Sequence, residues 1–248
     1  MRSNAYTLGF AAAVCVSCSL VISSAAILLR DRQQKNVEID MQKNILRCVG
    51  LELEGAEGEE IGRLYRENIE ELVIDRAGRV VEGRKPSDLK PEDYLDPMKD
   101  PVEFPLFVRK KDGKKLAYAL PIAGKGLWST LYGYLALEPD AKTIKGITFY
   151  KHGETPGLGA EVEKAWFQNN WKGKKILGPK GRLVSIRVVK GRAKDACPGA
   201  AAAHCVDGIS GATMTSNGVT KLVASALKRY DPFLSSLRRP KKRRRGKR

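Results

Sequence analysis

Histidine is scarce in this chain, with only His152 and His204 among 248 residues. Neither belongs to an H-E-x-x-H zinc motif or to a nucleophile-triad pattern. The chain also lacks the G-x-G-x-x-G and G-x-x-x-x-G-K-S/T loops that hold dinucleotides and triphosphates. We therefore expect structural or solvent-facing roles for both histidines, and no binding of free NADH or ATP by this chain.

Acidic residues are few relative to basic ones: 28 Asp and Glu stand against 45 Lys and Arg, which gives a formal net charge of +17. Nine of the basic residues lie between 238 and 248, where no acidic residue occurs. Such a run is typical of a disordered, solvated terminus. We predict a basic disordered tail over residues 236–248 that is weakly attracted to anionic lipid headgroups. Nucleic-acid binding is the alternative, but no nucleic-acid-binding motif accompanies the charge, so no such partner is expected.

Charged side chains are absent from residues 3–29 at the N-terminus. Residues 7–29 are mostly apolar and would form a helix about 34 Å long, enough to cross the core of a bilayer. A cleaved signal peptide is the competing interpretation, because Arg2 precedes the run and residues 24–26 resemble a processing site. The run is long for a signal peptide, so we predict one retained transmembrane helix within residues 1–35.

The chain has five cysteines. Cys15 and Cys18 fall in the apolar N-terminal run and are best explained as small apolar residues, and Cys48 is expected to be buried in a helix. Cys197 and Cys205 are eight residues apart, a separation that a disulfide closes easily in an oxidising compartment. Unpaired thiols fit equally well, whereas a metal site that also used the intervening histidine would lack a fourth ligand. We predict no metal site.

The remaining chain alternates between runs of strands and separate helices. A hairpin is expected around Asp112 and Gly113. Apolar and β-branched runs predict strands at 72–74, 104–108, 116–122, 131–137, 143–150 and 183–189, and helical spacing predicts helices around 59–71, 161–171 and 216–229. Strands that come in runs indicate an α+β domain over residues 36–235, with an antiparallel-rich sheet and flanking helices, rather than a doubly wound sheet.

One segment combines a small-residue turn with the start of a helix. Residues 219–230 carry apolar side chains at helical spacing, so a helix is expected to begin near Ser216, with Thr215, Ser216 or Asn217 as its cap. Thr213 would then lie just ahead of the helix N-terminus, where free amide groups and the helix dipole favour a phosphate. A simple capped turn is the alternative explanation.

A second segment, Lys-His-Gly-Glu-Thr-Pro-Gly-Leu-Gly at 151–159, predicts a stiff loop. Pro156 fixes its own φ and restricts Thr155, while Gly157 and Gly159 remove side chains. A flat ring could approach such a loop closely.

The string Asp-Gly-Ile-Ser-Gly-Ala-Thr-Met-Thr-Ser at 207–216 resembles the signature of a known family. This family comprises NqrC of the sodium-translocating NADH:quinone reductase and RnfG of the related Rnf electron-transport complex. The loop at 154–159 keeps all six residues of the family's Glu-Thr-Pro-Gly-Leu-Gly motif. Segments 39–46 and 124–134 resemble the NqrC branch in particular. The resemblance extends from about residue 36 to residue 230.

The resemblance implies that FMN is bound covalently, through a phosphoester to Thr213 made by a separate FMN transferase that uses FAD. It implies no catalytic residue. The residues expected to contact the cofactor are Asp207, Ser210, Gly211, Ala212, Thr215, Glu154, Thr155, Pro156, Gly157, Leu158, Gly159 and Trp128.

The same resemblance implies an electron-transfer protein that works only with partner subunits of the A, B, D, E and F types. Electrons would pass to a covalent FMN in the B-type partner and end on quinone, with export of sodium. The Rnf protein, whose complex exchanges electrons with ferredoxin, is the nearer alternative. A non-redox, membrane-anchored binding module with an unmodified Thr213 is the more distant one.

The resemblance also implies a single-pass protein of the bacterial inner membrane with a periplasmic flavin domain. The local charge count disagrees, because only Arg2 precedes the apolar run whereas Arg30, Arg32 and Lys35 follow it. Long domains translocate regardless of flanking charge, so we expect the periplasmic orientation.

Overall fold

A computed structural model describes residues 3–96 and 98–238 of the chain. It divides into two compact units, Met1–Met41 and Gln42–Arg248. The helices are α1 (Asn4–Cys48), α2 (Glu59–Asn68), α3 (Pro91–Tyr94), α4 (Ala165–Asn169), α5 (Ala193–Ala196) and α6 (Thr213–Arg238). The strands are β1 (Ile69–Asp75), β2 (Glu103–Lys111), β3 (Lys114–Lys125), β4 (Thr130–Leu137), β5 (Ile144–Lys151), β6 (Arg187–Val188) and β7 (Cys205–Val206). Short 3-10 turns occupy Pro86–Asp88, Gly159–Glu163 and Gly199–His204.

Helix α1 contains the apolar N-terminal run, and its large side chains in that run are exposed. Among the described residues it is the one helix whose length and composition would allow it to cross a membrane. The predicted N-terminal apolar helix is therefore present. Cys48, the last residue of α1, is buried as expected.

Strands β1 to β5 form an antiparallel sheet in sequence order. The β2–β3 hairpin turns at Asp112 and Gly113, whose φ angles are 50° and 72°. Two consecutive positive φ values are typical of the turn that matches the twist of paired strands, so the hairpin prediction is confirmed. The α+β architecture with an antiparallel sheet is confirmed as well. Strands β6 and β7 form a separate parallel pair.

Helix α6 covers one face of the sheet. Side chains alternate between the two faces of a strand, and Tyr118, Leu120 and Ile122 of β3 join Leu222 and Leu227 of α6 in one buried core. On the other face, Cys48 donates its thiol hydrogen to the backbone carbonyl of Tyr134 at 3.2 Å. Burial on both faces explains why residues 116–124 of β3 and the whole of β4 carry no charged side chain.

Both ends of helix α6 differ from the predictions. Helix α6 begins at Thr213 because the amide of Ser216 already donates to the carbonyl of Ala212 at 2.9 Å. Thr215, Ser216 and Asn217 therefore lie inside the helix, and the expectation that one of them caps it was wrong. The helix also continues past residue 235 to Arg238. The rest of the predicted basic tail, from residue 239 onward, lies outside the described residues.

Two predicted elements are interrupted. The helix expected at 161–171 is divided into the Gly159–Glu163 turn and α4, because Lys164 between them has an extended backbone with φ −79° and ψ 144°. The strand expected at 183–189 is reduced to β6, because Ser185 has a φ of 63° that no regular strand contains.

Cys197 and Cys205 form a disulfide. This bond decides among the alternatives that the sequence left open. Both sulfurs are buried in a small apolar cluster with Val189 and Ala193. Within residues 3–96 and 98–238, no group of three or more histidine, cysteine or acidic side chains is placed to hold a metal ion.

Candidate functional site

Thr213 is the first residue of α6, and its side chain is exposed. The free amide groups of the first turn and the positive end of the helix dipole are directed toward this position, which favours an anionic group there. The turn before it contains Gly211 with a φ of 72°. Thr213, Ser210, Gly211 and Asp207 line a cavity of about 530 Å³.

The segment before Thr213 is held to the loop at 189–193. The amide of Gly208 donates to the carbonyl of Gly191 at 2.8 Å, and a Cβ on Gly208 would lie only 2.0 Å from the carbonyl oxygen of Val189. Asp207 accepts the amide of Ala193 through Oδ1 at 2.7 Å. One carboxylate oxygen of Asp207 is thus used to fix the start of α5, so its contribution to the cavity is partly structural.

Glu154 lies at the meeting point of two loops and α6. Its carboxylate is buried, with the residue only 5% exposed. Oε1 accepts the amides of Trp128 at 2.9 Å and Ser129 at 3.2 Å. Oε2 accepts the amide of Leu127 at 3.2 Å and the hydroxyl of Thr215 at 2.5 Å.

These contacts decide the protonation state of Glu154. Burial by itself raises the pKa of the carboxyl group, but the hydroxyl of Thr215 and the amides of Trp128, Leu127 and Ser129 lower it. The hydrogen bonds outweigh burial, and the pKa of Glu154 lies below its ordinary value. Glu154 is therefore a buried, ionised carboxylate at neutral pH.

Apolar side chains are exposed around the start of α6. Trp128 is 71% exposed, Met214 61% and Leu158 42%. Leu158 lies beside the turn before Thr213, because a Cβ on Gly211 would be 2.7 Å from its Cδ2 atom. Exposed apolar side chains this close to one helix terminus make the area a candidate binding surface. An apolar surface next to an anion-binding helix terminus fits FMN, which has an apolar ring system and a phosphate.

The loop at 154–159 has an exposed tip and a buried end. Thr155, Pro156 and Gly157 are exposed, and the carbonyl of Thr155 accepts the amides of Leu158 and Ala160, both at 3.1 Å. Gly159 is buried, and a Cβ there would lie 2.6 Å from Oε2 of Glu154. The tip is thus available to a ligand, whereas Gly159 leaves room for the carboxylate.

Two residues predicted to contact the cofactor have no free side chain. Ala212 is part of the buried core, so only its backbone is available to a ligand. Thr215 is buried and directs its hydroxyl to Glu154. These two and Glu154 contribute to the shape of the site rather than to its open surface.

Several residues that were not predicted from the sequence also line the cavity, among them Lys190, Arg192, Trp166 and Ser216. The two cations suit a phosphate. The Ser216 hydroxyl is buried and has no hydrogen-bond partner within the described part of the chain. In the sequence, the only local sign of a phosphate-binding loop was a pair of basic residues around a glycine. The hydrogen bonds of Asp207 and Gly208 hold that loop beside the segment that leads to Thr213.

The two histidines make their hydrogen bonds to residues that do not line the cavity at Thr213. His152 accepts the amide of Glu154 through Nδ1 at 3.3 Å, and its Nε2 lies 3.3 Å from Oε2 of Glu163. His204 contacts the carbonyl of Lys175 through Nδ1 at 2.5 Å. Neither histidine lines the cavity at Thr213.

Known proteins resemble this chain closely. Residues 126–228 match the family described as FMN-binding domain. The C-type subunit of the Na(+)-translocating NADH-quinone reductase of Pseudomonas aeruginosa is 35% identical over 96% of this chain and 97% of that protein. The equivalent protein of Yersinia pestis is 37% identical over 91% of this chain and 90% of that protein.

Solved structures agree. The crystal structure of the same type of reductase subunit from Parabacteroides distasonis has a TM-score of 0.71 at 35% identity and covers 84% of this chain and 97% of that one. NqrC of Shewanella oneidensis has a TM-score of 0.67 at 31% identity, with 83% and 98% of the two chains covered.

Proposed function

The chain belongs to the NqrC family of the Na(+)-translocating NADH-quinone reductase and binds FMN, and from this premise we propose that Thr213 carries the FMN in a phosphoester bond. The observation that carries the proposal is the place of Thr213, exposed at the first residue of a 26-residue helix and on the wall of a cavity. The hydroxyl is accessible to a transferase, and the site favours a phosphate.

In the attachment reaction, the FMN group is transferred from FAD to Thr213. The hydroxyl oxygen of Thr213 forms a bond to the FMN phosphorus, the phosphoanhydride bond breaks, AMP leaves, and the hydroxyl proton is released. A separate FMN transferase performs this step. The role of the chain is to present Thr213, and the amide groups at the start of α6 stabilise the resulting phosphodiester.

Once attached, FMN supplies one- and two-electron chemistry. The residues of the chain hold it in place. Lys190 and Arg192 line the same cavity as Thr213 and would offset the negative charge of the phosphate. Trp128, Leu158 and Met214 offer an apolar surface to the ring system and reduce its contact with water.

We further propose that the chain relays electrons within the membrane complex, with subunits of the A, B, D, E and F types as partners. Electrons would arrive from an iron-sulfur centre in neighbouring subunits, would pass to the FMN of the B-type partner, and would end on quinone with export of sodium. The relatives are named as subunits of the NADH-quinone reductase, which supports this assignment over the Rnf complex.

Residues 1–35 are proposed to anchor the chain in the bacterial inner membrane, with the domain from residue 36 in the periplasm. The apolar helix α1 supports an anchor. The Cys197–Cys205 disulfide supports the periplasmic orientation, because such bonds persist in oxidising compartments. The local charge at the ends of the helix favours the opposite orientation.

The attachment is tested by producing the full chain together with an FMN transferase and examining it on a denaturing gel for flavin fluorescence. Wild type and Thr213→Ser should both fluoresce, because each keeps a hydroxyl. Thr213→Val keeps the shape of threonine without the hydroxyl and should be dark. Fluorescence in Thr213→Val would place the attachment elsewhere. A dark wild-type chain, with the transferase active on a control substrate, would favour the non-redox binding module.

A further inference from the structure

The carboxylate of Glu154 joins three segments that are distant in sequence. The amides of Leu127, Trp128 and Ser129 belong to the turn between β3 and β4, and Thr215 belongs to the first turn of α6. The segments are separated by 25 residues or more along the chain. A single side chain thus connects the turn that carries Trp128, the loop that carries Leu158 and the helix that starts at Thr213.

The space around this carboxylate is closely fitted. A Cβ on Gly126 would lie 2.6 Å from Oε1, and one on Gly159 would lie 2.6 Å from Oε2 and 2.7 Å from Oγ1 of Thr215. Only glycine at both positions allows the backbone to surround the carboxylate. The enclosure leaves little access for any ligand, and Glu154 is buried accordingly.

Both oxygens receive donors, so the carboxylate cannot be replaced by an amide without loss. In a Glu154→Gln variant, either orientation of the new amide would turn its NH2 group toward a backbone N–H. At the Oε1 position the donors are Trp128 and Ser129, and at the Oε2 position the backbone donor is Leu127. Only the hydroxyl of Thr215 can rotate to accept instead. An ionised carboxylate is the one common side chain that satisfies all four donors.

We propose that Glu154 is a positioning residue for the FMN site, which fixes Trp128, Leu158 and the first turn of α6 relative to one another without touching the cofactor. The positioning role of Glu154 deepens the proposed function and rests on it, because the segments that Glu154 fixes are those proposed to hold FMN. It also changes the expectation from the sequence, in which Glu154 was expected to contact the cofactor.

The first test needs no cofactor. Amide hydrogen exchange is measured by mass spectrometry on the full chain in detergent, for wild type, Glu154→Gln, Glu154→Asp and a control, Glu138→Gln. Glu138 is a partly exposed carboxylate whose side-chain hydrogen bonds come from Lys145. In Glu154→Gln, exchange over residues 127–129 should rise about tenfold or more, the size expected for a lost charge-assisted hydrogen bond.

The other variants sharpen this test. Exchange in the middle of β4 should stay as in wild type in all of them. Glu154→Asp keeps the charge on a shorter side chain and should give an intermediate increase. Should Glu154→Gln not fold, Thr215→Val removes one donor and should give a smaller increase over the same residues. Unchanged exchange at 127–129 in folded Glu154→Gln, or an equal increase in Glu138→Gln, would overturn the proposal.

The second test uses the flavin-loaded chain and reads the native fluorescence of the attached FMN. Tryptophan near a flavin quenches it, so Trp128→Phe should raise the fluorescence, and Glu154→Gln should raise it by releasing Trp128. The double variant should be no brighter than Trp128→Phe. Additive increases would contradict a role that acts through Trp128.

The two tests separate this inference from the proposed function. If wild-type chain carries no flavin while exchange responds as expected, the attachment fails and the positioning contact stands. If wild type is loaded and exchange in Glu154→Gln matches wild type, the positioning role alone fails.

Discussion

Gly218→Ala should destabilise the domain, although the same change inside a helix usually stabilises it. Gly218 lies in α6 where the helix crosses the end of β3. An added Cβ would lie 2.3 Å from the carbonyl oxygen of Lys125 and 3.2 Å from the Cα of Gly126. Both are backbone atoms, so neither can rotate away. A normal carbon–oxygen contact is about 3.3 Å or longer, and the helix must move back from the strand by about 1 Å.

The magnitude follows from two opposing effects. Alanine gains about 1 kcal/mol over glycine in helix propensity. Forcing apart a close contact in a packed interior costs about 1–3 kcal/mol, and backbone displacement puts this case at the upper end. We expect a net loss of about 1–2 kcal/mol in the free energy of unfolding. Gly126 begins the turn that Glu154 holds, so exchange at residues 127–129 should increase as well.

A matched control exists in α2. A Cβ on Gly62 would meet only side-chain ends, with Nη1 of Arg66 at 3.3 Å and Oε1 of Gln42 at 3.6 Å. Gly62→Ala should therefore stabilise the domain by about 0.5–1 kcal/mol. Urea titration of the full chain in detergent, followed by tryptophan emission, measures both variants. Stabilisation by Gly218→Ala of the same size as by Gly62→Ala would refute the close-contact argument.

Three further predictions concern buried contacts of the domain. The pKa of Glu154 in the folded state is below its ordinary value of 4.5. The contribution of its carboxylate to stability is therefore full above pH 4.5 and is lost as the pH falls through the folded-state pKa. The difference in unfolding free energy between wild type and Glu154→Gln should shrink in acid, and a constant difference from neutral to acidic pH would contradict this. Replacing both Cys197 and Cys205 by alanine should cost about 2–3 kcal/mol, since the bond closes a loop with a sequence separation of 8; an unchanged urea midpoint would count against it. Tyr230→Phe removes a buried hydroxyl that donates to the carbonyl of Pro105 at 2.7 Å, and should cost about 1–2 kcal/mol in the same titration, whereas no loss would mean that water replaces the bond.

The parts of the fold with a strong local pattern could be predicted. The apolar spacing from residue 219 indicated α6, and Asp112 with Gly113 indicated the hairpin. The exact start of α6 could not be predicted, because it depends on one backbone hydrogen bond from Ser216 to Ala212. The strand at β6 is short because Ser185 has a positive φ, and the presence of a serine in the sequence does not indicate this conformation.

The site was predictable to a similar extent. The family string identified Thr213 and the loop at 154–159 as candidates, and their roles remain predictions. The structural role of Glu154 could not be predicted from the sequence, because its hydroxyl donor lies 61 residues away in the chain. Lys190 and Arg192 were missed for the same reason, since only tertiary contacts bring their loop to the cavity.

The most direct measurement is peptide mass spectrometry of the full chain produced together with an FMN transferase. The peptide containing Thr213 should gain the mass of FMN less one water, and fragmentation should place the gain on Thr213. The Thr213→Ala chain should show no gain on any peptide. A wild-type chain without the added mass, or with the mass on another residue, would contradict the proposed attachment.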